Sequence, residues 1–274
     1  MTSFAENGFL IVKNSISKKV SLEIQKSVLK TLYNKNVSSN NKNNYKLFSD
    51  KVKKYFDKKK LINTFKFVEP FYYQFVSDNI FKKVLESKKL LKVLHDLLGK
   101  DLSYIDDIAI TLNLPDKSSS ELNYLFKKWH QELWSGASVS NLLIWTPIFQ
   151  HDNSPNQLEI IKQSHLWGHV PHRDREPISL PKNYKSFFTR LNVGDVLIFH
   201  PLLLHRSAPI KKDIKHYTPR LAFPIGVKNF RFVDHNTFSS NKSWKVFSKS
   251  ELTLIENKLG NFYLSPFRLL RKDS

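Results

Sequence analysis

Gly194-Asp195-Val196-Leu197-Ile198-Phe199-His200-Pro201-Leu202-Leu203-Leu204-His205-Arg206-Ser207 runs from a turn glycine, through an apolar strand, to a histidine flanked by polar residues. Asp195–Phe199 and Leu202–Ser207 read as two strands, with Pro201 between them and the turn Asn192-Val193-Gly194-Asp195 before them. The same texture spreads outward. Ile108–Leu114, Ser138–Phe149, Leu158–Ile161 and Arg220–Val227 are further β-type runs divided by polar turns. Few helix signals interrupt them, which predicts a double-sheet jelly roll rather than alternating βαβ units.

Helical segments flank this core. Gly8–Lys13 reads as a short strand, and after Ser17 the apolar Val20, Ile24, Val28 and Leu32 mark one face of a helix. Asn34–Lys60, rich in Asn, Lys and Ser, predicts a mobile loop and a candidate lid. A second amphipathic helix is expected over Asn79–Leu98, stopped by Gly99. Ser248 and Glu251 form a candidate capping box for a short helix ending at Gly260. The expectation is one domain, mainly β: a helical part over about 1–102, a jelly-roll core over about 103–230 and a helical extension over 231–274.

Composition narrows the chemistry. The 274 residues contain no cysteine, which excludes disulfides, thiolate zinc sites and cysteine nucleophiles, so a metal must sit on His, Asp or Glu. The net charge of +20 invites a nucleic-acid reading. Only eight of the 44 basic residues are Arg, however, all at or after Arg173, and the lysines are spread along the chain like a solvated surface. Nucleic acid is therefore not the expected partner: the charge reads first as a general lysine-rich compositional bias, and second as a match for an anionic substrate or polymer. No apolar run approaches the ~20 residues needed to cross a bilayer. Residues 1–8 lack the basic start and apolar stretch of a signal peptide, so a cytoplasmic enzyme is expected.

Trp129-His130-Gln131-Glu132 supplies the partner for the opening stretch. Residues two apart on a strand share a face, so His130 and Glu132 project together while Gln131 points away. His205 lies 75 positions beyond His130 (205 − 130) and must come from another strand. Two imidazoles and one carboxylate, leaving three positions open, form the ligand set of non-haem Fe(II) oxygenases. His200 competes for the third place, but Ser207 shares the face of His205 and can donate to a bound anion; His200 better suits a turn bond. His165, His169 and His172 form a rival cluster whose i, i+4 pair would suit zinc on a helix. Gly168 and Pro171 argue against that helix.

A 2-oxo acid chelates such an iron through its keto oxygen and C1 carboxylate. The remote carboxylate of 2-oxoglutarate then needs a fixed cation, for which the guanidinium fork is best suited. Arg220 stands 15 positions after His205 (220 − 205) at the head of an apolar strand. A strand neighbouring that of His205 would carry it inward, with Ser207 adding a hydroxyl, while Arg206 should face away. Trp145 either walls this pocket or fills the core.

In these residues the chain resembles the phytanoyl-CoA dioxygenase family of Fe(II)/2-oxoglutarate-dependent oxygenases. Phe4–Ile11 is similar to the family's opening, Trp129–Glu132 to its metal motif, and Leu158–His165 to its mid-barrel strand and loop. Gly194–Ser207, followed by Pro219-Arg220, is similar to its distal-histidine segment. The resemblance implies a double-stranded β-helix of jelly-roll, cupin-like type. It carries the Fe(II) ligands onto His130, Glu132 and His205, and the hold on 2-oxoglutarate onto Arg220 and Ser207. With O2 as the further cosubstrate, the implied reaction hydroxylates an unactivated C–H of a small molecule and releases succinate and CO2. Desaturation, epimerisation or cyclisation on the same cofactors are the alternatives; a non-enzymatic module for an anionic polymer is the alternative of another class. Two departures stand out. Glu132 occupies a position where the family usually carries Asp, and the spacing from His205 to Arg220 is a few residues longer than usual. Glu132 still supplies an oxygen ligand, and it argues against halogenation, for which that position is left empty.

Overall fold

A computed structural model describes residues 2–35, 41–57, 63–105, 110–114, 128–150, 158–208, 219–232 and 244–254. Helices α1 (Thr2–Asn7), α2 (Lys18–Tyr33), α3 (Asn41–Phe56), α4 (Thr64–Ser77), α5 (Ile80–Leu85) and α6 (Lys88–Leu98) precede the β-rich part, with strand β1 (Phe9–Val12) after the first. Then come β2 (Leu102–Ile105), β3 (Thr111–Asn113), β4 (Asn141–Phe149), β5 (Leu158–Ile161), β6 (His172–Arg173) and β7 (Glu176–Pro177). The remaining strands are β8 (Ser186–Phe188), β9 (Val196–Phe199), β10 (His205–Ser207), β11 (Arg220–Asn229) and β12 (Trp244–Ser248). A seven-stranded antiparallel sheet runs β1-β9-β4-β11-β2-β12, with β3 also paired to β11; a second sheet runs β10-β5-β8. Among the described residues the sheets do not close into a barrel.

Side-chain alternation sorts the core into two layers. From the large sheet, Leu142, Ile144 and Ile148 of β4, Val196 and Ile198 of β9, and Leu221, Phe223, Ile225 and Val227 of β11 pack outward against the helices. The intervening Leu143, Trp145, Leu197, Phe199 and Ala222 face the small sheet, meeting Leu158 and Ile160 of β5 together with Leu203. A strand buried on both faces reads as an unbroken apolar run, which is why these segments show so little alternation in the sequence.

Several expectations need correction. Much of Asn34–Lys60 is not a loop: α3 occupies residues 41–56, while 36–40 and 58–60 lie outside the described residues. Phe48, Val52 and Phe56 recur four apart and are completely buried, and the Phe48 ring stacks on Phe149 at 4.4 Å. Asn43, Lys46, Lys53 and Lys54, which suggested disorder, are the solvated face of an amphipathic helix, while Asn44 turns inward and donates to Gln25. The helix expected over Asn79–Leu98 is two helices, α5 and α6, broken at Glu86–Ser87 and ended, as expected, by Gly99 at φ +81°. Leu202–Leu204 turn instead of extending, leaving only His205–Ser207 as strand. Toward the C-terminus β12 adds to β2 where a helical extension was expected. The short helix at 251–254 is capped by Ser250, whose Oγ accepts from Thr253 N, not by Ser248; Gly260 lies outside the described residues.

The α3 assignment has a direct check. Phe48→Ala removes a fully buried ring and should cost about 3–5 kcal/mol of unfolding free energy. A residue in a solvated loop would move the denaturation midpoint hardly at all. No helix among the described residues is long and apolar enough to cross a membrane.

Candidate metal centre

His205 enters on β10, which pairs with β5 through His205 and Ile160. On its other side it makes one isolated bridge with His130: His130 N donates to His205 O and His205 N to His130 O, both at 3.1 Å. That reciprocal pair sets the two imidazoles side by side, ring centroids 4.2 Å apart. Beyond His130 the chain leaves extended geometry and winds into a 3-10 turn over Glu132–Ser135, ended by Gly136 at φ +92°. Glu132 thus reaches the histidines from a turn, not from the continuous strand that the i, i+2 spacing suggested.

The three side chains converge. Glu132 Oε1 lies 3.2 Å from His205 Nε2 and 3.8 Å from His130 Nε2, and one ligand atom from each residue lies within 4.8 Å of the others. Ligands at adjacent corners about 2.1 Å from an ion sit roughly 3.0 Å apart, so the spacing fits one bound metal. Tautomer chemistry points the same way. His130 Nδ1 contacts Lys128 O at 2.8 Å and His205 Nδ1 contacts Leu203 O at 2.9 Å. A carbonyl only accepts, so each Nδ1 carries the proton and each Nε2 turns its lone pair toward Glu132. Two lone pairs facing a carboxylate require a cation among them, either a proton or a metal.

The site sets a carboxylate against a buried imidazole. Burial, reinforced by neighbouring His130, holds the His205 imidazole below its ordinary range despite the pull of Glu132. Burial alone would raise the Glu132 carboxyl, but hydrogen bonding to His130 and His205 outweighs it and keeps the group well below the usual carboxylate range. The buried Phe199 ring packs against that of His205, with centroids 4.7 Å apart.

Arg220 lies across the gap between the sheets. It heads β11 in the large sheet and shares its parity with Ala222, so it faces inward, where its Nη2 donates to Ser207 Oγ of β10 at 2.8 Å. The expectation of a strand neighbouring β10 is therefore wrong: Arg220 meets Ser207 from the opposite sheet. The guanidinium is 1% exposed, sits 4.9 Å from the Trp145 ring, and is pushed down by burial to about 9. It stays charged at neutral pH, and a carboxylate there would relieve the cost of its desolvation.

The other expected residues fall elsewhere. Arg206 faces away, donating to Glu159 at 2.8 Å and covering Trp129. His200 holds a turn: its Nδ1 accepts from Leu202 N at 3.1 Å, and burial with nearby His165 pushes it down to about 4. His165 donates to Ala5 O, His172 stacks on Trp134, and His169 is exposed. Among the described residues, His130, Glu132 and His205 form the one group able to hold a metal ion. Sequence reasoning missed Ser164. Fully buried, it donates to Ile161 O at 2.7 Å and accepts from Leu204 N at 2.8 Å, so it fixes the approach to His205.

Comparison with known structures and families agrees with this architecture. Two solved structures are similar to the chain: "non-heme monooxygenase; ThoJ apo", at 16% identity and TM-score 0.56, covering 90% of this chain and 83% of that one, and "Non-heme monooxygenase, ThoJ-Ni complex", at 14% identity and TM-score 0.53, covering 98% and 96%. At such identity they speak to the fold alone. The comparison with curated proteins gives no match. The model of the family described as "Phytanoyl-CoA dioxygenase (PhyH)" matches residues 4–214, a stretch that includes His130, Glu132 and His205 and stops short of Arg220. The chain belongs to the phytanoyl-CoA dioxygenase family and is an oxygenase of the iron- and 2-oxoglutarate-dependent type.

Proposed function

We propose that the chain hydroxylates an unactivated C–H of a small, anionic substrate, with His130, Glu132 and His205 as its Fe(II) ligands and Arg220 and Ser207 holding 2-oxoglutarate. The carrying observation is the pair of histidines whose Nδ1 protons are committed to backbone carbonyls while both Nε2 atoms meet one glutamate oxygen. Iron and 2-oxoglutarate, once bound, supply O2 activation coupled to decarboxylation. The chain's part is positioning and exclusion of water. His130 and His205 present preset lone pairs, Glu132 adds the charge that leaves Fe(II) near +1, and Arg220 forks onto the remote carboxylate. Trp145 and Phe199 keep that side dry, which strengthens each electrostatic contact. A cytoplasmic location belongs to the same reading and rests on the composition.

The test is substrate-stimulated succinate formation by purified protein supplied with Fe(II), 2-oxoglutarate and labelled O2 across a panel of anionic small molecules. Hydroxylation places one labelled oxygen in the product; label confined to succinate would replace hydroxylation by desaturation, epimerisation or cyclisation. Absence of 2-oxoglutarate turnover in iron-loaded protein would overturn the proposal. Ser207→Ala deletes one hydroxyl contact and should raise KM for 2-oxoglutarate about three- to tenfold with kcat little changed. An unchanged KM would remove Ser207 from the cosubstrate site.

A further inference from the structure

We infer that Gln131 is a positioning residue of this metal centre: its buried carboxamide fixes Glu132 relative to His205 and fastens the segment 168–184 across the metal motif. The inference rests on the ligand reading above.

The need for such a residue follows from how weakly the ligands are otherwise joined. Among the described residues, His130 touches β10 through a single bridge, and the one backbone hydrogen bond from the turn carrying Glu132 to the chain that delivers His205 is a long 3.4 Å contact, Leu133 N to Pro201 O. Gln131 stands between the two ligands and is completely buried. Its Nε2 donates to Leu202 O at 2.7 Å and to Gly168 O at 2.9 Å, and its Oε1 accepts from Val170 N at 3.0 Å. Both donors and the acceptor are used, and each bond reaches backbone, so the amide is held in one orientation.

Leu202 lies in the turn that leads into His205. One planar group therefore spans the distance between a glutamate and a histidine that are 73 positions apart in the chain. Metal sites need their ligands held to within about 0.5 Å, a tolerance that one loose contact cannot meet. The other two bonds grip the start of the segment 168–184. Further along, His172 stacks on Trp134 at 4.4 Å, Glu176 pairs with Lys128, and Tyr184 meets the Trp129 ring. That segment thus lies across residues 128–134, with Gln131 as its one fully buried polar tie among these contacts.

The experiment compares wild type with Gln131→Leu, which keeps the bulk without the bonds, and Gln131→Glu, which keeps the acceptor and loses both donors. Fe(II) alone is titrated anaerobically, the visible charge-transfer band is recorded on adding 2-oxoglutarate, and the metal-free proteins are melted. The expected result is a folded variant whose Fe(II) affinity drops about ten- to a hundredfold and whose band shifts. KM for 2-oxoglutarate at saturating iron should hold within about twofold, because Arg220 and Ser207 are untouched. A folded variant with wild-type affinity and band overturns the proposal. So does failure of both variants to fold, since the amide would then be a general staple. Wild type that takes up no Fe(II) would instead sink the ligand reading.

Discussion

His205→Ala should leave a folded protein that takes up no Fe(II) and turns over 2-oxoglutarate only at background. The imidazole is 3% exposed, its Nδ1 is spent on Leu203 O, and its Nε2 has Glu132 Oε1 as nearest polar partner. Among the described residues no other histidine can substitute: His200 faces its own turn, and His165 is committed to Ala5 O. With one imidazole gone, two ligands remain on an open site, and Glu132 loses one of the two contacts that hold it ionised. The backbone bridge to His130 survives the substitution, so loss of metal need not be loss of fold. Anaerobic Fe(II) titration beside thermal melting separates the two. His169→Ala, at an exposed ring of the rival histidine cluster, is the control and should bind iron as wild type does. Retention of iron and turnover in His205→Ala, or their loss in His169→Ala, would move the metal to the rival cluster.

Which parts were legible in the sequence follows from what each residue does. Leu158–Ile161 and Val196–Phe199 could be read because buried strands are apolar runs bounded by turns, and both β5 and β9 stand where the runs fall, whereas β10 begins only after the apolar Leu202–Leu204, which turn. α3 could not be read, because its apolar positions are sparse and aromatic and its other residues are Asn and Lys; only the packing of Phe48 on Phe149 reveals the helix. α4 likewise had no counterpart among the expected elements. Its aromatic residues follow one another too closely to show a stripe, Pro70 interrupts the pattern, and Asn63 proves to be the cap that starts it. At the site, residue types and spacing named the three converging side chains, since ligand chemistry restricts which residues can serve. Geometry was less accessible. Glu132 arrives from a 3-10 turn, Arg220 from the opposite sheet, and the support from Gln131 and Ser164 runs through backbone carbonyls and amides that leave no trace in the sequence.

The layering also assigns work to the two sheets. The large sheet is backed by helices over its outer face and supplies Arg220 and Trp145 from its inner one; the small sheet supplies His205 and Ser207. Under the proposed reading, the iron ligand His205 and the cosubstrate-holding Arg220 stand on opposite walls, joined by the bond from Arg220 to Ser207.

Arg220→Met should therefore cost 2-oxoglutarate binding far more than it costs the fold. A buried guanidinium carries a desolvation cost that the folded protein bears whether or not an anion is present, as its depressed pKa of about 9 shows. Replacing it with an apolar side chain of comparable length removes that cost together with the bond to Ser207, and such exchanges are often close to neutral for stability. The bound carboxylate has no such compensation. Losing a buried, hydrogen-bonded charge partner costs about 2–5 kcal/mol, a rise of roughly thirtyfold or more in KM for 2-oxoglutarate. Arg220→Lys keeps the charge and gives up the fork, so its KM should fall between wild type and Met. Thermal melting with and without 2-oxoglutarate supplies the second reading: the cosubstrate should raise the midpoint of wild type and lose that effect in the Met variant, because a ligand stabilises only the state that binds it. An Arg220→Met enzyme with wild-type KM would place the remote carboxylate elsewhere and leave Arg220 as a structural link between the two sheets.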